Sequence, residues 1–193
     1  MNWKKWFWAL VILDIAVVAL FAAWLFQPAK PISVPPPKKV KGAAFTVYSN
    51  KEHLNTVIND YIRKKTKDHP VQYRVWLNDR VYVASKLSVF GRKVDFVVSF
   101  IPKVVKGGNV ELQSPQISLG DWQLPITYVL RYLRNHASLP DEVMIDPAAN
   151  RVYVALTDIR FGNGYQISAK KINLVKDEIV FTLTIPTSAK AKQ

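Results

Sequence analysis

The chain opens with an almost unbroken apolar run, Trp6–Phe26, interrupted by Asp14, and thereafter changes to segments in which apolar and polar positions alternate. Two of those segments have helical spacing. Leu54, Val57, Ile58, Tyr61 and Ile62 fall on one stripe behind Ser49 and Glu52, a capping-box pair, and predict a helix over 50–66 that ends before Pro70. Ile126, Val129, Leu130 and Leu133 make a second stripe, with Pro125 suited to the first helical position and Pro140 beyond the end, predicting a helix over 125–136. After a short apolar stretch at 45–48, the remaining order is strand-like: runs at 71–77, 80–90, 93–102 and 109–119 follow the first helix, and runs at 142–146, 151–158, 165–175 and 178–185 follow the second. Short breaks such as Asn78-Asp79, Gly91-Arg92 and Lys176-Asp177 favour antiparallel hairpins. Val81, Val83, Leu87 and Val89 alternate against Arg80, Tyr82, Lys86 and Ser88, so one sheet face is apolar and the other mixed.

One helix followed by four strands therefore occurs twice, and Arg80–Ala84 and Arg151–Ala155 share the letters RVYVA, which hints at duplication. The expected fold class is α+β: one N-terminal transmembrane helix, then a domain of two helix-plus-four-antiparallel-strand units forming a curved sheet around helices. Residues 1–5 read as a cytoplasmic N-terminus, 6–26 as the transmembrane helix, 27–42 as a Pro/Lys-rich stalk, 43–187 as an extracytoplasmic domain and 188–193 as a basic tail. A helix over 6–26 is about 30 Å long at ~1.5 Å per residue, enough to span a bilayer, with Trp6, Trp8 and Trp24 near its ends. The short N-terminal flank carrying Lys4 and Lys5 favours a single-pass, N-in arrangement in the cell membrane. Ala22-Ala23-Trp24 is a poor cleavage site, which argues for an uncleaved anchor. Asp14 has two readings, a partner-seeking carboxyl or a protonated one tolerated by an apolar helix.

Charge and cysteine content narrow the function classes. The formal net charge is +13, but residues 1–41 hold six Lys against Asp14 and the tail adds Lys190 and Lys192, so much of the excess flanks the apolar run. That distribution suits an anionic bilayer or envelope polymer, and no nucleic-acid partner is expected. With no cysteine there is no disulfide framework, thiolate nucleophile, sulfur-ligated metal or lipobox.

No chemistry-bearing motif stands out. His53, His69 and His136 lack ligand spacing, and no nucleophile elbow, Walker loop or dinucleotide fingerprint occurs, so no metal, cofactor or enzymatic activity is expected. Asp141, Glu142 and Asp146, with Asp158 in the next strand, are the best candidates for paired-carboxylate hydrolysis, set against their being solvated charges beside a hairpin. Asp121-Trp122 reads as a helix cap and packing anchor or, for Trp122, a ligand contact. Trp76 alternates with Val75 and Leu77, and Tyr82 and Phe90 share a face with Arg80 and Lys86; aromatics among basic residues can contact anionic amphiphiles. The candidate ligand contacts are therefore Trp76, Tyr82, Phe90 and Trp122.

The Lys-Lys lead, the apolar run, the basic Pro stalk, Phe45-Thr-Val-Tyr leading into Ser49-Asn50, and the segment Gln113–Pro125 (QSPQISLGDWQLP) together resemble the YpmS-like family of Gram-positive bacteria over nearly the whole chain. The resemblance implies a membrane-anchored extracytoplasmic protein and transfers no catalytic residue. More distantly, the order of helices and strands resembles the tubular lipid-binding superfamily, a likeness of fold pattern alone. The expected function is non-enzymatic binding of a lipid or other envelope amphiphile, or of an anionic envelope polymer. The alternative is a scaffold or regulatory partner of another membrane or envelope protein.

Overall fold

A computed structural model describes residues 3–25, 32, 34, 36–38, 40–66, 73–89, 92–118, 125–137, 139–162 and 164–187. The chain divides into two compact units, Met1–Lys30 and Pro31–Gln193. The first consists of helix α1, Trp3–Leu25, almost all of whose described side chains are exposed. Here the sequence expectation is overturned: among the described residues no helix is long and apolar enough to cross a membrane. The helix starts at Trp3, three residues before the apolar run, so Lys4, Lys5 and Asp14 all lie within it. A membrane-spanning segment over 6–26, and the single-pass N-in localisation built on it, are withdrawn.

In the second unit the elements run β1 (Gly42–Ser49), α2 (Lys51–Lys65), β2 (Arg74–Leu77), β3 (Val81–Val89), β4 (Arg92–Val104), β5 (Val110–Ser118), α3 (Ile126–His136), β6 (Val143–Asp146), β7 (Arg151–Val154), a 3-10 turn Leu156–Asp158, β8 (Arg160–Phe161), β9 (Tyr165–Asn173) and β10 (Glu178–Pro186). The expected fold class is corrected on a second point. The strands form two antiparallel sheets, one of six in the order β2-β3-β4-β5-β7-β6 and one of four in the order β1-β10-β9-β8. The second helix-plus-strands unit is shared between them, and β1, ahead of the first helix, joins β10 along its whole length.

The chain changes sheets at Leu156–Asp158, within a segment whose alternation reads as one strand. Buried amides set that turn. Asn109 Nδ2 donates to the Tyr153 hydroxyl at 2.6 Å while its Oδ1 accepts from the Thr157 backbone N–H at 2.9 Å, and Gln166 Nε2 donates to the Thr157 carbonyl at 2.8 Å. The same Gln166 takes the Val40 N–H at 3.0 Å and donates to the Lys38 carbonyl, and Lys38 pairs with Asp158 at 3.3 Å, so these residues of the Pro/Lys-rich segment lie against the body.

Helix α2 begins at Asn50, whose side chain accepts from His53 N–H at 2.9 Å; the cap is thus one residue after the expected Ser49. Asp177 Oδ1 takes a further end group, the Lys51 N–H, at 2.8 Å. Asn55 and Asn59, one turn apart on the same face, reach the free edge of β2. Asn59 bonds both the N–H and the carbonyl of Val75, at 3.0 and 2.6 Å, and Asn55 accepts from Leu77 N–H at 2.8 Å. An edge strand's unpaired backbone groups are thereby satisfied by a helix in place of another strand. Helix α3 starts one residue after Pro125 and buries Val129, Leu130 and Leu133 against β4, β6 and β7, forming one hydrophobic cluster. A second cluster joins Val75, Leu77 and Val81 of the six-stranded sheet to Ala169, Ile179 and Phe181 of the other, with Leu54, Ile58 and Ile62 of α2 against it.

Candidate functional site

The two clusters do not fill the space they enclose. A cavity of about 300 Å3 remains, walled by both sheets, α2 and α3. The inward positions of the strand alternation build it. Val81 and Val83 of the first RVYVA copy and Val152 and Val154 of the second face it from one sheet, and Ile167 and Phe181 face it from the other. Among the described residues lining it, only Tyr61, Tyr73 and Glu142 carry a polar side-chain atom. Away from those three residues the lining offers a water none of the two to four polar partners it needs. An engineered apolar cavity of ~150 Å3 takes benzene, so this one has room, by proportion, for about twelve carbon atoms.

Its polar corner is formed by Tyr61 on α2 and Glu142 just before β6. Glu142 Oε1 lies 3.6 Å from Lys65 Nζ, one turn along α2 from Tyr61, and that ammonium stands 5.8 Å from the Tyr61 ring centre. Phe161 of β8 packs on the other side, its ring 6.5 Å from that of Tyr61. Lys65 is half exposed, so the corner is where the lining reaches the surface. The Tyr61 hydroxyl and Glu142 Oε2 are both buried, and neither has a hydrogen-bond partner among the described residues. Burial holds the Tyr61 phenol above its ordinary value, and a hydrogen-bonding interaction with the neighbouring Glu142 carboxyl, short of good geometry, then the charges of Glu142 and Asp141, push it further up. The phenol therefore stays protonated and able to donate.

The sequence candidates fall elsewhere. Trp76 and Tyr82 are a register pair of β2 and β3, their rings stacked 5.2 Å apart and nearly parallel. They alternate with Val75, Leu77, Val81 and Val83 and so occupy the sheet face opposite the cavity. The Tyr82 hydroxyl donates to Asp79 at 2.8 Å, which lowers the Asp79 carboxyl and raises the Tyr82 phenol. Phe90 and Trp122 lie outside the described residues, as does His69. His53 is exposed, and His136 stacks on Tyr132 one turn back. The carboxylates are engaged separately: Asp146 with Arg151, which also holds Glu111 at 2.8 Å, Asp158 with Lys38, and Glu142 with Lys65. Among the described residues no group of acids and histidines is placed to hold a metal ion. Of the polar corner, sequence reading named Glu142 among its candidate acids and passed over Tyr61, whose one visible signal was its place on the apolar stripe of α2.

A family model described as an uncharacterised protein conserved in bacteria (DUF2140) matches residues 2–185. The chain is also 34% identical over 185 residues to the uncharacterised protein YpmS of Bacillus subtilis (strain 168), covering 96% of this chain and 98% of that protein. The chain belongs to the YpmS-like family. No solved structure matches, so the likeness to the tubular lipid-binding superfamily stands on pattern alone. For this YpmS-like chain, function has to be argued from the cavity.

Proposed function

We propose that the Pro31–Gln193 unit binds the hydrocarbon chain of an amphiphile between its two sheets, and that it does so without transforming it. The largely apolar cavity of about 300 Å3 supports this reading. Small-molecule sites are concave and mostly apolar with a few convergent polar groups, and this space meets each condition near the lower end of their usual ~300–1,000 Å3. Transfer of a chain from water to such walls gains about 0.8 kcal/mol per buried methylene, so ten methylenes supply roughly 8 kcal/mol before the losses of association. Mass spectrometry of an organic extract of the purified protein tests the reading, with Val83→Phe as the variant that fills the cavity from β3. The expected result is an amphiphile present near one per chain in the wild type and depleted in Val83→Phe. An empty extract, together with no heat on titration with decanol, would reject it and favour the alternative of a protein-binding scaffold.

A further inference from the structure

The corner of Tyr61 and Glu142 says what kind of head the ligand carries. We propose that it recognises a neutral hydroxyl, so that the preferred occupant is a single-chain alcohol or hydroxyl-headed monoacyl amphiphile in place of a fatty-acid anion. The inference rests on the chain-binding reading above and specifies the head group.

The argument is one of donors and acceptors. Glu142 Oε2 is buried and, as a carboxylate oxygen, can only accept; the Tyr61 hydroxyl interacts with that carboxyl, but no hydrogen bond of good geometry satisfies either atom, and the hydroxyl can donate or accept. Leaving a buried polar atom unsatisfied is unfavourable, and two such atoms at one end of an otherwise apolar space can be satisfied by one incoming group. A hydroxyl does so completely, donating to Glu142 Oε2 and accepting from Tyr61. A carboxylate has only acceptors and would set a second negative charge against Glu142, whose other oxygen is already committed to Lys65. An ammonium can donate to both oxygens, but it brings a second positive charge beside Lys65, which already pairs with Glu142 at 3.6 Å.

Calorimetric titration of the full chain with decanol, decanoate and decylammonium, in wild type, Tyr61→Phe and Glu142→Gln, tests the proposal. Wild type should bind decanol about tenfold more tightly than decanoate, the effect of roughly one hydrogen bond to a charged group. Tyr61→Phe should weaken decanol about fivefold to tenfold, and Glu142→Gln should bring decanoate up to within about threefold of decanol by removing the repulsion. Binding to the apolar surface of α1 would be the same in all three proteins, so only the change in head selectivity reports the corner. Thermal melting without ligand checks folding, and Tyr61→Phe should melt no lower than wild type because it deletes a buried, unpartnered hydroxyl. Equal affinity for the three heads, or tighter binding of decanoate or decylammonium than of decanol by wild type, would overturn the head-group proposal while leaving the chain-binding reading intact. Absence of binding by all three would overturn both.

Discussion

Replacing Asn109 by Leu should be among the most damaging single changes in this protein, although the side chain touches no ligand. Asn109 is about 1% exposed and holds two groups at once, the Tyr153 hydroxyl and the Thr157 N–H. Leucine matches its size but bonds neither, and each buried group left unsatisfied costs ~1–3 kcal/mol, giving about 2–6 kcal/mol in total. For a chain of this length each kcal/mol moves the midpoint by ~2–4 °C, so Tm should fall by roughly 4–24 °C. Urea unfolding followed by tryptophan fluorescence measures the loss, and a double-mutant cycle isolates its cause. Tyr153→Phe alone strands Asn109 Nδ2. In the Asn109→Leu/Tyr153→Phe double variant the orphaned hydroxyl is gone, so the combined loss should be smaller than the sum of the single losses by about 1–2 kcal/mol. A loss under ~1 kcal/mol for Asn109→Leu, or additivity within ~0.5 kcal/mol, would refute the view that this amide fixes the point where the chain changes sheets.

Three further outcomes follow from the geometry. Leu130→Ala removes a fully buried side chain that already borders the cavity, so the new void cannot collapse and the loss should lie in the upper half of ~2–5 kcal/mol by urea unfolding; a loss under ~2 kcal/mol would count against the packing described. Gly108→Ala should destabilise by more than ~1 kcal/mol in the same assay, since φ is +85° and a Cβ would meet Ser168 Cβ at 2.5 Å, whereas Gly162→Ala, with its nearest atom at 4.0 Å and φ of +50°, should lose less. Because the folded-state pKa of Tyr61 is raised, its contribution is complete below the unfolded value of ~10 and is lost as pH rises above it; wild type should therefore lose stability more steeply than Tyr61→Phe in chemical unfolding between about pH 10 and 12, and parallel curves would remove the assigned cause.

Periodicity carried most of the local structure. The stripes of α2 and α3 and the hairpin breaks place those helices and nearly every strand within a few residues of where they occur, because amphipathic spacing is a local property. What escaped was set by partners distant in sequence. Arg151–Asp158 alternates like one strand, whereas Asn109 and Gln166, remote in sequence, hold the Leu156–Asp158 turn toward the second sheet. The polar site was illegible for a similar reason. Glu142 sits among Asp141 and Asp146 and reads as a solvated charge, yet Tyr61 and Lys65 from a much earlier helix cover it. The stacking of Trp76 and Tyr82 was within reach of strand register, but a pair of aromatics cannot show which sheet face encloses the empty space. At the N-terminus Lys4 and Lys5 read as a flank outside the helix, which in fact begins at Trp3 and includes them.

The amides that α2 extends to β2 constrain how anything gets into the cavity. Asn55 and Asn59 make three hydrogen bonds to that strand's backbone, so swinging the helix outward would strip Val75 and Leu77 of their partners, at about 1 kcal/mol or more for each. Helix and sheet must therefore breathe as a single wall. The corner of Tyr61 and Glu142 lies at the far end of the same helix, beside Lys65 and Phe161 and away from those three bonds.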